Sequence, residues 1–225
     1  SSGVIPISDD KPAARFPFMV ILLIILNCAV FWREMMEFQH IEAFIETHGM
    51  IPARDFAGGL NLRPYFTSMF LHGGLAHLLM NLWALWIFGD NIEGVMGPAR
   101  FTLFYLACGF AAALAHAAVH PFSEVPVVGA SGAIAGVMGA YLILFPTARI
   151  KMFTLLVFYP VFFEIPAFVF LIIWFMGQIF SGAIAFEQAR STMSEPVGIA
   201  FIAHAGGFLA GILLLPFFKK RKKWR

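Results

Sequence analysis

The sequence predicts an all-α, polytopic membrane protein with six transmembrane helices. Of the 225 residues, 60% are hydrophobic and 12% are charged, whereas a soluble domain carries roughly 25% charged residues. The 27 phenylalanines would leave large apolar patches on a soluble core. Apolar stretches near the length of about 20 residues that a helix needs to cross a bilayer occur six times. This composition argues against a soluble enzyme and excludes a disordered chain.

The six apolar stretches give the expected order of elements. They cover residues 16–33, 72–90, 100–119, 128–146, 164–186 and 198–218. We therefore expect a membrane domain over 16–218, a cytoplasmic segment over 1–15 and a basic cytoplasmic tail over 219–225. Ser1-Ser2-Gly3 lacks an initiator methionine and is interpreted as an expression scar.

A long outer segment, residues 34–71, separates the first two stretches. Its apolar residues recur at helical spacing among glutamates, which predicts a short amphipathic helix in the outer interface. The apolar residues are Phe38, Ile41, Phe44 and Ile45, and the glutamates are Glu37, Glu42 and Glu46. A long connection with structure of its own is often functional.

The fifth stretch has an uncertain beginning in the sequence. Apolar residues run from Met152 to Phe186, which is too long for one simple helix and includes Pro160 and Pro166. We place 150–162 at the interface and begin the span near Glu164, because proline is tolerated in a first turn. The sequence leaves open whether 150–162 is helix, loop or part of a longer fifth helix.

The basic residues predict the orientation in the membrane. With a cytoplasmic N-terminus, 11 of the 15 lysines and arginines lie inside and 4 lie outside, as the positive-inside rule requires. We interpret the basic tail as a topology anchor rather than a nucleic-acid contact. No nucleic-acid partner is expected.

Four polar residues are expected in the outer half of the bilayer, where polar groups are costly and are candidates for function. Ser131 lies in the first turn of the fourth span, and His204 lies about six residues into the sixth. His77 and Asn81 are one turn apart on the second span and therefore share a face. Three separate helices thus carry polar groups to a similar depth.

These residue types point to acyl transfer. A serine hydroxyl needs a neighbouring base, and the imidazole of His204 can accept the proton of Ser131 near neutral pH. The Asn81 amide, the His77 N–H and the Ser131 backbone N–H are candidate donors to the oxyanion. No carboxylate is expected at this depth, since Glu164 falls near the inner end of its span, so the pattern favours a Ser-His dyad.

Small residues beside these side chains predict close contact between the fourth and sixth helices. Gly132 follows Ser131 directly, and Ala135 lies one turn further along the fourth helix. Gly207 and Gly211 form a small-residue series beside His204. Small residues let membrane helices approach closely enough for a serine-to-imidazole hydrogen bond.

Other interpretations remain open at this point. Small-residue clusters around a serine are common packing motifs in membrane helices, and a histidine within a span is often structural or part of a proton path. His116 and His120 form an i, i+4 pair that could hold a metal. Without a carboxylate or cysteine in the same turn, we interpret them as interface polarity. No metal or cofactor is predicted.

Several motifs, in this order, resemble the rhomboid intramembrane serine proteases of bacterial type with a six-helix core. The resemblance covers roughly residues 60–218. The matching segments are HGGLAHLLMN at 72–81, FGDNIE at 88–93, GASG at 129–132, IPA at 165–167 with Trp174 and Gln178, and AHAGGFLAG at 203–211.

The resemblance implies that Ser131 is the nucleophile and His204 the base, with an oxyanion hole of Asn81, His77 and the Ser131 amide. Gly129 belongs to the nucleophile motif. The family resemblance also implies that segment 34–71 dips into the outer leaflet and that a mobile fifth helix gates substrate access. Trp174 and Gln178 lie on that helix.

Two positions depart from some members of the family: Ala135 stands where these members have a tyrosine, and Leu62-Arg63 stands where they have Trp-Arg.

The expected function is an intramembrane serine endopeptidase that cleaves single-span membrane proteins near the outer face of a bacterial plasma membrane. One alternative is an inactive rhomboid-like scaffold that binds membrane proteins, although such a scaffold would lack the serine or the histidine. Another is a transporter, which needs a polar path through both halves of the bilayer. The expected partners are transmembrane substrates and lipid. The sequence does not define the physiological substrate or the oligomeric state.

Overall fold

The computed structural model describes residues 5–11, 15–156, 159–192 and 200–220. The proposed scar at 1–3 and residues 221–225 of the basic tail lie outside the described residues. Eight α-helices are described: α1 (Phe18–Met36), α2 (Ile41–His48), α3 (Arg63–Thr67), α4 (Leu75–Met96), α5 (Pro98–Val119), α6 (Ser131–Leu144), α7 (Ala167–Thr192) and α8 (Ala200–Phe218). Short 3-10 turns at Phe38–His40 and Ser68–Phe70 and a π-helical turn at Ala53–Ala57 lie between them.

The long helices coincide with the predicted apolar stretches. Within the described chain, three of them are long and apolar enough to cross a membrane: Phe18–Met36, Pro98–Val119 and Phe201–Phe218. A fourth span exists if Arg63–Phe70 is counted with Leu75–Met96, to which it is bent by 94°. Ser131–Leu144 and Ala167–Phe180 are apolar but shorter. The protein is therefore a helical membrane protein, whereas length and hydropathy do not yield six full spans.

A three-stranded antiparallel sheet departs from the all-α prediction. Its strands are β1 (Ile5–Asp9), β2 (Arg149–Leu156) and β3 (Tyr159–Pro166), in the order β1-β2-β3. Glu164, which the sequence places at the start of the fifth span, pairs with Lys151 in this sheet. Helix α7 begins after the sheet, at Ala167.

The sheet has a physical signature in β2. Ile150 and Met152 are buried, whereas Arg149 and Lys151, which precede each of them in turn, are exposed. This alternation with a period of two is that of a strand with one buried face. Because the residues after Met152 are almost all apolar, hydropathy alone does not reveal this alternation in the rest of the hairpin. A β-hairpin therefore occupies most of the stretch whose conformation the sequence leaves open.

Helix α6 lies at the centre of the bundle. All of its residues from Gly132 to Tyr141 are buried, and the core cluster around it contains side chains of α4, α5 and α8. A Cβ on Gly207 would collide with the Gly132 carbonyl oxygen, and a Cβ on Gly211 would collide with that of Gly136. The backbones of α6 and α8 are therefore in direct contact, which only glycine permits at these positions.

A buried carboxylate, Glu93, and a half-buried one, Asp9, join elements at the end of the bundle that carries the sheet. Both oxygens of Glu93, on α4, accept the Met19 N–H at 3.0 Å and one accepts the Val20 N–H at 2.9 Å. These bonds satisfy donors that the first turn of α1 leaves free. Asp9 of β1 accepts hydrogen bonds from the Tyr141 hydroxyl and from the Asn91 amide.

The outer segment 34–71 contains the predicted short helix, α2, and is held by polar contacts. The Arg54 guanidinium binds both oxygens of Asp55, with Nε at 2.7 Å from one and a terminal nitrogen at 2.6 Å from the other. These hydrogen bonds raise the pKa of Arg54. Met50 is fully buried and forms a β-bridge to Val127, which anchors the segment to the loop before α6.

Candidate active site

Ser131 is the first residue of α6 and is partly buried. The turn before it depends on Gly129, whose φ of 123° lies in the region that favours glycine. The Gly129 N–H donates to the Ser68 carbonyl at 2.9 Å, which ties this turn to the end of the outer segment. Because the first amides of a helix have no acceptor within it, the Ser131 N–H is suited to bind an anionic oxygen.

The missing side chain of Gly129 leaves a small space beside Ser131. A Cβ on Gly129 would lie 2.9 Å from His77 Nε2 and 3.6 Å from Ser131 Oγ. The imidazole of α4 and the hydroxyl of α6 therefore border the same space. Asn81, one turn after His77, is buried, and its Nδ2 has no hydrogen-bond partner among the described residues.

His204 lies on α8 next to the closest approach of that helix to α6. The carbonyl oxygen of Ala203 lies 3.8 Å from where a Cβ of Gly132 would stand, so the residues adjoining His204 and Ser131 face each other. His204 Nε2 is buried and has no hydrogen-bond partner in the part of the chain that the structure describes.

Helix α7 covers His204 with two side chains one turn apart. Gln178 Oε1 lies 2.7 Å from His204 Nδ1, and the Trp174 ring centroid lies 6.0 Å from that of His204. The sequence connects both residues with gating only through the family resemblance. Their contact with His204 was missed, although the i, i+4 spacing of Trp174 and Gln178 places them on one helical face.

A buried carboxylate supports the loop that leads into α4, and the sequence reasoning did not find it. Glu34, near the end of α1, accepts the His72 N–H at 3.0 and 3.3 Å from its two oxygens. The His72 ring in turn meets the His77 ring edge-on, with centroids 5.2 Å apart. The available signal was the position of Glu34 near the C-terminal end of an apolar helix, where a carboxylate is costly.

Three further residues singled out in the sequence are Ala135, His116 and His120. Ala135 is fully buried one turn after Ser131, and the aromatic ring against His204 comes from Trp174 instead. His116 and His120 have ring centroids 5.2 Å apart, and His116 is fully buried within the protein. In the described ranges, no group of three or more histidine, cysteine or acidic side chains has metal-binding geometry.

The Ser131 hydroxyl and the His77 imidazole border one space beside Gly129. The family model for the rhomboid domain matches residues 60–221. The chain belongs to the rhomboid family. The match includes all four candidate site residues and begins within the outer segment, after Glu34.

Curated relatives of this rhomboid chain come from bacteria and from mitochondria. It is 46% identical over 76 residues to the rhomboid protease GluP of Bacillus subtilis, covering 34% of the chain and 14% of that protein. It is 34% identical over 105 residues to the putative rhomboid protease YdcA of the same organism, covering 44% of the chain and 52% of that protein. It is 29% identical over 150 residues to the mitochondrial Rhomboid protein 1 of Saccharomyces cerevisiae, covering 65% and 39%. The chain thus spans about half or less of these relatives.

Proposed function

We propose that this rhomboid protein is a serine-type intramembrane endopeptidase that hydrolyses peptide bonds of single-span membrane proteins. The observation that carries the proposal is the space beside Gly129, which the Ser131 hydroxyl and the His77 imidazole both border. The Asn81 amide, buried and without a partner among the described residues, supports it, because such a donor is costly unless a ligand accepts its hydrogen bond.

Each site residue has a distinct role in the proposed reaction. His204 Nε2 accepts the hydroxyl proton as Ser131 Oγ attacks the scissile carbonyl carbon. The carbonyl oxygen becomes an oxyanion that accepts hydrogen bonds from the Asn81 amide, the His77 N–H and the Ser131 N–H. His204 then gives the proton to the leaving amine as the peptide C–N bond breaks. Water then attacks the acyl carbon while His204 accepts its proton, and the same donors bind the new oxyanion. The bond between the acyl carbon and Ser131 Oγ breaks as His204 returns the proton to Oγ, which releases the new carboxyl end.

The length of α6 supports a site below the membrane surface. Its 14 residues extend about 21 Å at 1.5 Å per residue, about 9 Å less than a hydrocarbon core of roughly 30 Å. Arg149 follows its far end and is exposed, as expected at an aqueous boundary. The end that begins with Ser131 is therefore the recessed one, and water reaches it through the polar surroundings of the site.

We further propose that the N- and C-termini are cytoplasmic and that the site opens toward the outer face of a bacterial plasma membrane. Arg149, Lys151, Lys219 and Lys220 follow the ends of α6 and α8 that are opposite Ser131 and His204, which favours that side as the cytoplasmic one. The exposed apolar side chains of the hairpin, such as Leu156, Tyr159 and Phe162, are suited to the lipid interface. The 46% identity to a bacterial protein over 76 residues favours a bacterial membrane.

The proposal is tested by cleavage of a panel of single-span membrane proteins in liposomes. We expect the wild-type protein to cut at least one of them, and Ser131→Ala and His204→Ala each to abolish the cut. His40→Ala, at an exposed histidine of the outer segment, is the control and retains activity. Near-wild-type turnover by either site variant would contradict the dyad. Binding of substrates without cleavage by the wild type would favour the scaffold alternative.

A further inference from the structure

We propose that Gln178 is the positioning residue that holds His204 in the tautomer needed by the base. This inference rests on the proposed function for its kinetic consequence, but the contact itself is independent of it. Gln178 Oε1 lies 2.7 Å from His204 Nδ1. An amide oxygen only accepts hydrogen bonds, so Nδ1 carries the proton and Nε2 retains its lone pair.

The other ring nitrogen has the environment that a base requires. His204 Nε2 is buried and has no hydrogen-bond partner among the described side chains and backbone groups. Its lone pair is therefore not occupied by another donor of the described chain and remains for the proton of the Ser131 hydroxyl. The opposite tautomer would place a hydrogen on Nε2, where it could not accept that proton.

Aromatic packing holds the Gln178 amide in place. Trp174, one turn before Gln178, has its ring centroid 6.0 Å from that of His204 and 6.1 Å from that of Phe208, one turn after His204. Phe175 stacks on Phe208 at 4.7 Å. Two successive turns of α7 thus pack on two successive turns of α8, which fixes the register in which the amide meets the imidazole.

Because residue 135 is an alanine, another residue must orient the imidazole of His204, and Gln178 is in position to do so. A methyl group at 135 cannot hold an imidazole ring, so orientation must come from elsewhere in the bundle. It comes from α7, which supplies both the acceptor at Nδ1 and the ring against His204. The base is therefore oriented only while α7 is packed against α8.

A direct test measures the tautomer without requiring peptidase activity. The full chain is labelled with [15N]histidine and its imidazole signals are recorded by NMR in detergent micelles at neutral pH, with His204→Ala assigning the His204 signals. We expect a protonated Nδ1 and an unprotonated Nε2 in the wild type and in Gln178→Glu, and a mixture of tautomers in Gln178→Leu. A wild-type hydrogen on Nε2, or no change in Gln178→Leu, would overturn the proposal.

A kinetic test separates positioning from a general packing role. We expect Gln178→Leu to lower kcat by about tenfold or more, with KM little changed, because one orienting hydrogen bond is lost. Gln178→Glu, which keeps an acceptor of the same length, restores most of kcat. Met176→Leu, at an exposed position of the same helix, leaves both constants unchanged. Equal impairment of Gln178→Glu and Gln178→Leu, or a change confined to KM, would contradict positioning. If the wild type cleaves nothing, the proposed function fails while the NMR result still decides the tautomer.

Discussion

Asn81 combines a structural cost with a proposed catalytic gain. Its Nδ2 is buried without a partner in the described part of the molecule, and a buried unsatisfied donor costs about 1–3 kcal/mol. We expect Asn81→Leu, which keeps the volume and removes the donor, to lower kcat by about 10²–10³-fold. The unfolding temperature, followed by intrinsic fluorescence, should not fall. A stable variant with unchanged kcat would remove Asn81 from the oxyanion hole.

Gly129 is predicted to be intolerant of even a methyl group. In Gly129→Ala the new Cβ would lie 2.8 Å from His77 Cε1 and would fill the space beside Ser131. We expect a loss of cleavage of at least about 10²-fold, because His77 must move and the oxyanion position is blocked.

Gly59→Ala is the matched control for this substitution. Gly59 has a similar φ of 126°, but a Cβ there would meet nothing within 4 Å among the residues that the structure describes. It therefore carries the same backbone strain without the collision. If cleavage assays show equal losses for the two variants, backbone strain rather than the space beside Ser131 explains the requirement for glycine.

At the scale of elements, the contact between α6 and α8 determines how closely the helices that carry Ser131 and His204 can approach. A Cβ on Gly207 would collide with the Gly132 carbonyl oxygen. We expect Gly207→Ala to lower the free energy of unfolding by about 1–3 kcal/mol through overpacking, and to reduce cleavage as the helices separate. Thermal unfolding in detergent measures the first effect and the liposome assay the second.

A helical glycine with open space around it in the described structure provides the control. A Cβ on Gly177, in α7, would meet no described atom within 4 Å. Because alanine has the higher helix propensity, by up to about 1 kcal/mol, Gly177→Ala should be neutral or stabilising. An equal loss of stability in both variants would contradict the close approach of α6 and α8.

The carboxyl group of Asp9, in strand β1, is expected to make the stability of the fold depend on pH. Burial raises the pKa of Asp9 above its ordinary value, Asp10 adds to this effect, and the hydrogen bond from Tyr141 opposes it. An acid with a raised pKa in the folded state stabilises the fold while it is protonated, and this contribution is lost as pH rises through that pKa.

We therefore expect Asp9→Asn to reduce the part of the pH dependence that comes from this group. The wild type should lose more of its unfolding temperature than the variant between about pH 4 and about pH 7, because only the wild type has a carboxyl to ionise at this position. Thermal unfolding at the two pH values measures the difference. A larger loss in the variant would contradict a raised pKa for Asp9.

The helices and the sheet differ in how far the sequence predicts them. Each long helix coincides with an apolar stretch, because membrane insertion selects for length and hydropathy that can be counted. Strand β2 has alternating burial in only four residues, and its partner β1 lies about 140 positions earlier in the chain. Pairing of β1 with β2 over such a distance leaves no local pattern. The β2–β3 hairpin is local, but the nearly continuous apolar composition beyond Met152 gives it no alternation in hydropathy, so the sheet could not be predicted in this way.

At the scale of the whole molecule, the order and expected depth of the spans predict that Ser131, His204, His77 and Asn81 converge. The structure brings His77 beside Ser131 at Gly129 and packs α8 against α6 next to His204. The contacts of Glu34 with His72 and of Gln178 with His204 could not be predicted, since they depend on how helices rotate and pack. The signs in the sequence were polar side chains on apolar helices and, for Gln178, its i, i+4 spacing from Trp174.

The central claim, that Ser131 is a nucleophile activated by His204, is tested most directly by mapping a covalent adduct. The intact protein in liposomes is treated with a fluorophosphonate probe, and the modified residue is located by peptide mass spectrometry. We predict a single adduct on Ser131 that is lost in Ser131→Ala and strongly reduced in His204→Ala. An adduct on another residue, or no adduct while a serine hydrolase treated in parallel is labelled, would contradict the account.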